Sequence, residues 1–285
     1  MDEVTASQLP KPKLVASDVD GTLIDPYERV TARTRDVVAA LVADGVQFVL
    51  ATGRPPRWIA PVVAGLGFAP LCVCGNGAVL YDPETDQVLS TTVLDVPTLA
   101  WLADLAEKVL PGCGLAAERV GASAQDAATP QFVSSPEYVH AWLNPDDTAV
   151  ARDEVIASPA IKMLIRLPGA SSGDMAATLA GHIGGRADIT FSTDHGLVEI
   201  SAPGVTKAHG LRIIGERLGI DAADMVAFGD MPNDVPMLRM AGLGVAMGHA
   251  HPEAIAAADE VAGTNSEDGV ARVLERWWPH DDSRR

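Results

Sequence analysis

L-V-A-S-D-V-D-G-T-L, residues 14–23, is the stretch on which the reading of this chain turns. Leu14, Val15, Ala16 and Ser17 run without a charge into Asp18 and Asp20, and Gly21 permits a tight turn directly afterwards. A short apolar run of this kind predicts a strand buried on both faces, here with acid at its carboxyl end.

Working outward, the same pattern recurs. Thr31 is placed to cap a helix whose apolar face is Val37, Val38, Leu41 and Val42, and Gly45 ends it. Residues 46–51 form a second apolar run. Pro55-Pro56 opens a helix to about Leu66, with Pro61 making its first turns irregular, and residues 70–74 form a third run. Strand, helix, strand, helix, strand implies a parallel sheet covered on both faces. The last third repeats this alternation, with strands at 197–201, 225–229 and 243–247, and helices at 207–218, 234–240, 252–258 and 268–277. The expected class is α/β, with a Rossmann-like, doubly wound parallel-sheet core.

The middle reads differently. Residues 78–81 and 88–92 flank Asp82-Pro83-Glu84-Thr85-Asp86, which suits a hairpin. A helix follows at about 97–110, and strand-like 161–167 and 189–191 bracket a helix near 173–183. Residues 112–159, rich in Ala, Ser, Pro and Asp, carry no clear period. The expected division is a core of residues 1–82 and 194–285, with residues 83–193 inserted as an α+β domain.

Composition narrows the function. The 285 residues carry 21 Lys and Arg against 38 Asp and Glu, a net charge of −17. Phosphate backbones need clustered Lys and Arg, so nucleic acid is not an expected partner. A phosphorylated small molecule remains compatible, because a site can be locally positive. Cys72, Cys74 and Cys113 make no disulfide framework and point to reduced thiols in the cytoplasm. Residues 1–13 lack the apolar core of a signal peptide. Residues 58–81 are uncharged for 24 positions, but Pro61, Gly65, Gly67, Pro70, Gly75, Asn76 and Gly77 cut them into short elements, so no membrane span is expected.

Three apolar runs end in polar residues of a particular kind. Residues 14–17 lead to Asp18 and Asp20, residues 46–51 to Thr52-Gly53-Arg54, and residues 225–229 to Asp230-Met231-Pro232-Asn233-Asp234. In open α/β sheets, ligands bind outside the carboxyl ends of strands, so these groups should converge. Clustered carboxylates repel one another unless a cation sits among them, and a hard ion with oxygen ligands, Mg²⁺ foremost, meets that need. Asp18 at a strand tip is a competent nucleophile towards phosphorus. Asp20, two residues on, falls on the same side and suits proton transfer. The Thr52 hydroxyl and Gly53 N–H suit phosphoryl oxygens, and Lys207 adds positive charge against phosphate and Asp18.

These motifs resemble the haloacid dehalogenase superfamily of phosphohydrolases, in particular its Cof-type subfamily with a type IIB cap. D-V-D-G-T-L (18–23), A-T-G-R (51–54), Lys207 in G-V-T-K-A-H-G-L (204–211) and G-D-M-P-N-D-V-P-M-L (229–238) are similar to its four motifs in order. G-N-G-A (75–78) and A-G-L-G-V-A-M-G (241–248) resemble the subfamily. The resemblance implies Asp18 as nucleophile and Asp20 as general acid/base. It implies Mg²⁺ on Asp18, the Asp20 carbonyl and Asp230, with Asp234 in support. It implies phosphate on Thr52, Gly53, Lys207 and Asn233, with Asn76 and Arg54 facing the substrate. Two departures are His209 in K-A-H-G-L and His249 in M-G-H-A, neither of which removes a catalytic group. The activity implied is Mg²⁺-dependent hydrolysis of a small metabolite's phosphomonoester through an aspartyl-phosphate, by a monomer or homodimer. A phosphomutase would use the same intermediate, and a non-catalytic phosphate-ligand-binding protein the same fold. The intact Asp18, Asp20, Lys207 and Asp230 weigh against the last.

Overall fold

A computed structural model describes residues 10–126, 130–141 and 146–279. Residues 1–9, and residues 280–285, for which the sequence predicts a loose tail, lie outside them. The chain opens with β1 (Leu14–Ser17), α1 (Ala32–Ala43), β2 (Gln47–Ala51), α2 (Ala60–Leu66) and β3 (Cys72–Cys74), then a hairpin of β4 (Val79–Asp82) and β5 (Gln87–Thr91). Next come α3 (Val96–Val109), β6 (Gly114–Glu118), β7 (Phe132–Ser134), β8 (Asp147–Ala149), α4 (Arg152–Val155), β9 (Lys162–Arg166), α5 (Ser172–Ile183), β10 (Asp188–Thr190) and β11 (Leu197–Ser201). It closes with α6 (Lys207–Leu218), β12 (Met225–Gly229), α7 (Val235–Met240), β13 (Leu243–Ala246), α8 (Pro252–Ala257), β14 (Glu260–Val261) and α9 (Gly269–Leu274).

The strands form two sheets. The first runs β14-β13-β12-β1-β2-β3-β4-β5, parallel from β14 to β3 and antiparallel through the hairpin. Its central strands are wholly buried, as apolar runs covered on two faces must be. From β1 the chain winds outward to β3 on one side, then returns to β12 on the other. The order therefore reverses between β1 and β12, and a crevice opens at their carboxyl ends. The second sheet runs β10-β11-β9-β6-β7-β8 and is antiparallel except for β7 with β8. Its side chains alternate between two tasks. Leu115, Ala117, Met163, Ile165, Val198 and Ile200 join the main core with α3 and α5, whereas Glu118, Phe132, Lys162, Leu164 and Glu199 face a cavity.

Several expectations need correction. The division at 82/83 and 193/194 removes one strand from each sheet: β5 pairs with β4 in the first sheet, and β11 pairs with β9 and β10 in the second. A hairpin is local in sequence, so it extends the sheet that its first strand already occupies. The inserted segment thus lies between Thr91 and the start of α6. Val42 is 37% exposed, because α1 turns Thr34 inward instead. The helix expected from Pro55 splits into a 3₁₀ turn, Pro56–Trp58, and α2, with Pro61 in the first turn of α2 where a missing N–H costs nothing. The last helix ends at Leu274, and Trp278 tucks against α1's C-terminus, its Nε1 donating to Asp44 Oδ2 at 3.0 Å. Among the described residues, no helix is long and apolar enough to cross a membrane.

Candidate active site

Four neighbouring parallel strands, β12, β1, β2 and β3, deliver polar residues at one edge of the first sheet. Asp18 follows β1, and its N–H donates to Phe228 O at 3.0 Å, which ties the tip of β1 to β12. Asp230 follows β12, Thr52 follows β2, and Asn76 occupies the turn after β3 at φ +57°. Gly21 at φ +75° closes the turn after Asp20. A Cβ there would lie 2.4 Å from Asp230 Oδ2, so only glycine fits.

Behind these residues lies a buried charge cluster. Thr206 caps α6 by accepting from the His209 N–H at 3.1 Å, which sets Lys207 in the first turn. Lys207 is 0% exposed, and its Nζ donates to Asp18 Oδ1 at 2.5 Å and Asp234 Oδ1 at 2.6 Å. An ammonium at a helix N-terminus opposes the helix dipole, and the two carboxylates offset that cost. They hold Lys207 charged, above its usual range, against the effect of burial. Asp234 Oδ2 accepts from the Asp230 and Met231 N–H groups, both at 2.9 Å. Both oxygens of Asp234 are therefore engaged in shaping the loop.

Burial pushes the Asp18 carboxyl well above the usual range, Lys207 opposes the rise, and Asp234, Asp230 and Asp20 add to it. Burial and then Asp234 push Asp230 up to about 7, again against Lys207. One ammonium is thus too little for three carboxylates whose oxygens lie within 4.8 Å of one another. An all-oxygen donor set with uncompensated charge fits a hard divalent cation. Both oxygens of Asp234 already carry bonds within the protein, so Asp18 and Asp230 stand foremost among the three carboxylates that could hold one.

Asp20 turns away from this cluster. Its exposed carboxylate accepts from Arg54 Nε at 2.9 Å and Nη2 at 2.5 Å, a bidentate pair. Both residues line a cavity of about 620 Å³, together with Asp18, Gly53, Asp230 and Asn233. The opposite wall belongs to the second sheet. There Lys162 Nζ donates to Glu199 Oε2 at 2.5 Å and to Gly53 O at 3.1 Å. Arg57 reaches from the first domain to Glu118, donating from Nη1 at 2.5 Å, and to Asp146, donating from Nε at 2.8 Å. Lys162 holds the Glu199 carboxyl below the usual range despite burial, whereas for Glu118 burial outweighs Arg57 and raises it.

Asp18, Asp20, Gly53, Arg54, Asp230 and Asn233 thus meet at one cavity, with Lys207, Asp234 and Thr52 just behind them. Asn76 departs from expectation. Its Nδ2 donates to Glu199 Oε2 at 3.1 Å, and its Oδ1 accepts from Asn233 Nδ2 at 3.0 Å. Both ends of its amide carry a bond within the protein, and it braces the site from outside the cavity lining. His249 Nε2 lies 3.8 Å from Asp230 Oδ2. Sequence reasoning missed Arg57, Glu118, Lys162 and Glu199. For Lys162 and Glu199 the signal was a lone charge inside an apolar strand, in Ile161-Lys162-Met163-Leu164-Ile165 and Leu197-Val198-Glu199-Ile200.

Comparison with known proteins bears on the family and the fold. The family described as haloacid dehalogenase-like hydrolase matches residues 15–274. An HMP-PP phosphatase of Serratia proteamaculans is 29% identical over 93% of this chain and 95% of its own. A 5-amino-6-(5-phospho-D-ribitylamino)uracil phosphatase of Bacillus subtilis is 25% identical, with the same coverage of 93% and 95%. The solved structure of a subclass IIB sugar phosphatase superposes with a TM-score of 0.76 at 23% identity, covering 93% of this chain and 99% of that one.

Proposed function

The chain belongs to the haloacid dehalogenase-like hydrolases, as a phosphoric monoester hydrolase, and on that premise we propose that it is a Mg²⁺-dependent phosphatase of a small metabolite. One observation carries the proposal. Asp18 and Asp230 leave adjacent strands where the sheet order reverses, and Lys207 fixes one Asp18 oxygen from behind. That leaves the other Asp18 oxygen for phosphorus. In this reading the Asp18 carboxylate attacks phosphorus, the bond to the ester oxygen breaks, and Asp20 gives that oxygen its proton. Water then attacks the aspartyl-phosphate, Asp20 takes the proton, and inorganic phosphate leaves with Asp18 restored. Thr52, Gly53 and Asn233 receive the phosphoryl oxygens. Asp18, Asp230 and the Asp20 carbonyl would hold Mg²⁺, which supplies positive charge against those oxygens. The cavity's size suits a metabolite, and Trp58, Phe132, Leu164 and Met231 give it apolar wall. The two curated relatives, named for small phosphorylated compounds, support that substrate class.

The test is turnover of p-nitrophenyl phosphate. Asp18→Asn should keep the fold and lose turnover by roughly 10³-fold or more, since an amide is a far poorer nucleophile. Beryllium fluoride should modify Asp18 alone. A near-normal rate in Asp18→Asn, or wild-type turnover that survives excess EDTA, overturns the proposal.

A further inference from the structure

The loop 52–54 is bonded nearly everywhere along its main chain. The Thr52 N–H donates to Val73 O at 2.8 Å, and Thr52 O accepts from the Asn76 N–H at 3.0 Å. The Arg54 N–H donates to Thr52 Oγ1 at 3.0 Å, and Arg54 O accepts from the Gly75 N–H at 3.0 Å. Gly53 O accepts from Lys162 Nζ at 3.1 Å. Only the Gly53 N–H has no partner among the described residues. All but one of these bonds come from the domain that carries Asp18. The exception is Lys162, on β9 of the second sheet, itself buried and anchored on Glu199.

That exception sits where the loop is weakest. Glycine puts little steric restraint on the peptide between residues 53 and 54, so its bonds to Lys162 and Thr52 are what hold it. Rotated, it would present a carbonyl oxygen to the phosphoryl oxygens and draw the Arg54 N–H off Thr52. While the Arg54 N–H occupies Thr52 Oγ1 as acceptor, the hydroxyl proton of Thr52 is free to be donated. Resting on the phosphatase reading, we propose that Lys162 is a positioning residue for phosphate. It holds the 53–54 peptide so that the Arg54 N–H stays on Thr52 Oγ1, the Thr52 hydroxyl faces the phosphoryl group, and no carbonyl does. Phosphate binding then depends on the second sheet being seated on the first domain, because Lys162 is supplied from there.

The test separates Lys162 from its buried partner. Lys162→Met alone strands the Glu199 carboxylate and threatens folding. Glu199→Gln is the milder change, because its amide nitrogen can donate to Ser192 Oγ while its oxygen still accepts from Lys162 and Asn76. Isothermal titration of inorganic phosphate with Mg²⁺ present compares wild type, Glu199→Gln and the double variant Lys162→Met/Glu199→Gln. Measured against Glu199→Gln as its background, the double variant should bind phosphate about tenfold more weakly, the worth of one charged hydrogen bond. KM should rise by the same factor for p-nitrophenyl phosphate and for an alkyl phosphate. Hydrogen–deuterium exchange over residues 52–58 should speed up in the double variant alone. Unchanged phosphate affinity or unchanged exchange overturns the proposal. So does a loss confined to one leaving group, which would place Lys162 against that group instead. A wild type that turns over no phosphate ester would defeat the phosphatase reading, while the exchange rates still decide whether Lys162 locks the loop.

Discussion

The proton on Asp230 shows how far single residues here depend on what surrounds them. An aspartate in an unfolded chain titrates near ~3.9. With burial and Asp234 pushing Asp230 up to about 7, and Asp18 also raised, these two sites hold more protons in the folded protein than in the unfolded chain between those values. The contribution of these two carboxyls to the stability of the metal-free protein should therefore fall as pH rises from about 4 to about 7. A divalent cation must displace the same protons, so its stabilisation should be larger at pH ~8 than at pH ~5. Thermal melts with and without saturating Mg²⁺ at both values decide this, and a shift that is equal or larger in acid contradicts it. Asp20 supports a second prediction. Its role as acid matters for a poor leaving group such as an alkoxide and little for p-nitrophenolate. Asp20→Asn should cost an alkyl phosphate roughly 10²–10⁴-fold more than p-nitrophenyl phosphate in the phosphorylation step. In rapid mixing, p-nitrophenyl phosphate should give a burst of one product per site and then stall on the aspartyl-phosphate. Equal slowing with no burst would leave Asp20 only a placing role, one its pairing with Arg54 already shows it can fill. Asp18, Asp20, Asp230 and Lys207 were legible because each follows an apolar run or opens a helix. Lys162 and Glu199 were not, because neither has a local partner: they pair with each other across 37 positions, and Arg57 with Glu118 across 61.

Elements matter here chiefly through where they begin and end. The start of α6 is pressed against the turn after β3. A Cβ on Gly77, at φ +107°, would lie 2.0 Å from Thr206 O, the carbonyl that opens the helix and precedes Lys207. Gly77→Ala should therefore cost more than ~2 kcal/mol, through backbone strain and the clash together, and displace the ammonium behind Asp18. Thr206→Ala, which removes only the cap, should cost about 1 kcal/mol and less turnover. Urea unfolding and p-nitrophenyl phosphate assays of both variants check the order, and a neutral Gly77→Ala would show that the turn is free to move. The same scale explains what reading by element achieved. β1 and β12 were legible because strands buried on both faces are continuous apolar runs. β7 and β8 hold three residues each among polar neighbours, and β6 is Gly-Leu-Ala-Ala-Glu, so none offers a period to recognise. β5 alternates in exposure at a sheet edge, which sequence alone does not assign to one sheet or the other.

At the scale of the whole molecule, an anionic substrate must approach an anionic protein. The chain carries a net charge of −17. The cavity offers no local reversal of that sign: Asp18, Asp20, Glu28, Glu118, Glu199 and Asp230 line it against Arg54, Arg57 and Lys162. Lys207 and Asp234, just behind, cancel each other. A bound divalent cation would narrow the deficit of three to one without removing it. The field at the entrance should therefore repel a phosphate dianion, in contrast to sites that steer substrates inward. Mobile ions screen such repulsion, and the Debye length falls from ~30 Å at ~0.01 M salt to ~8 Å at ~0.15 M. With Mg²⁺ held saturating, kcat/KM for a dianionic ester should rise over that range by about two- to threefold, while kcat at saturating substrate stays level. A fall in kcat/KM would mean that Arg54, Arg57 and Lys162 dominate the field the substrate meets, and that their carboxylate partners turn away from it. Replacing Glu28, which lines the cavity at φ +60°, by Gln removes one repelling charge and should flatten the salt dependence. Were the slope unchanged in Glu28→Gln, the repulsion would have to arise from the distributed surface charge and not from the cavity mouth.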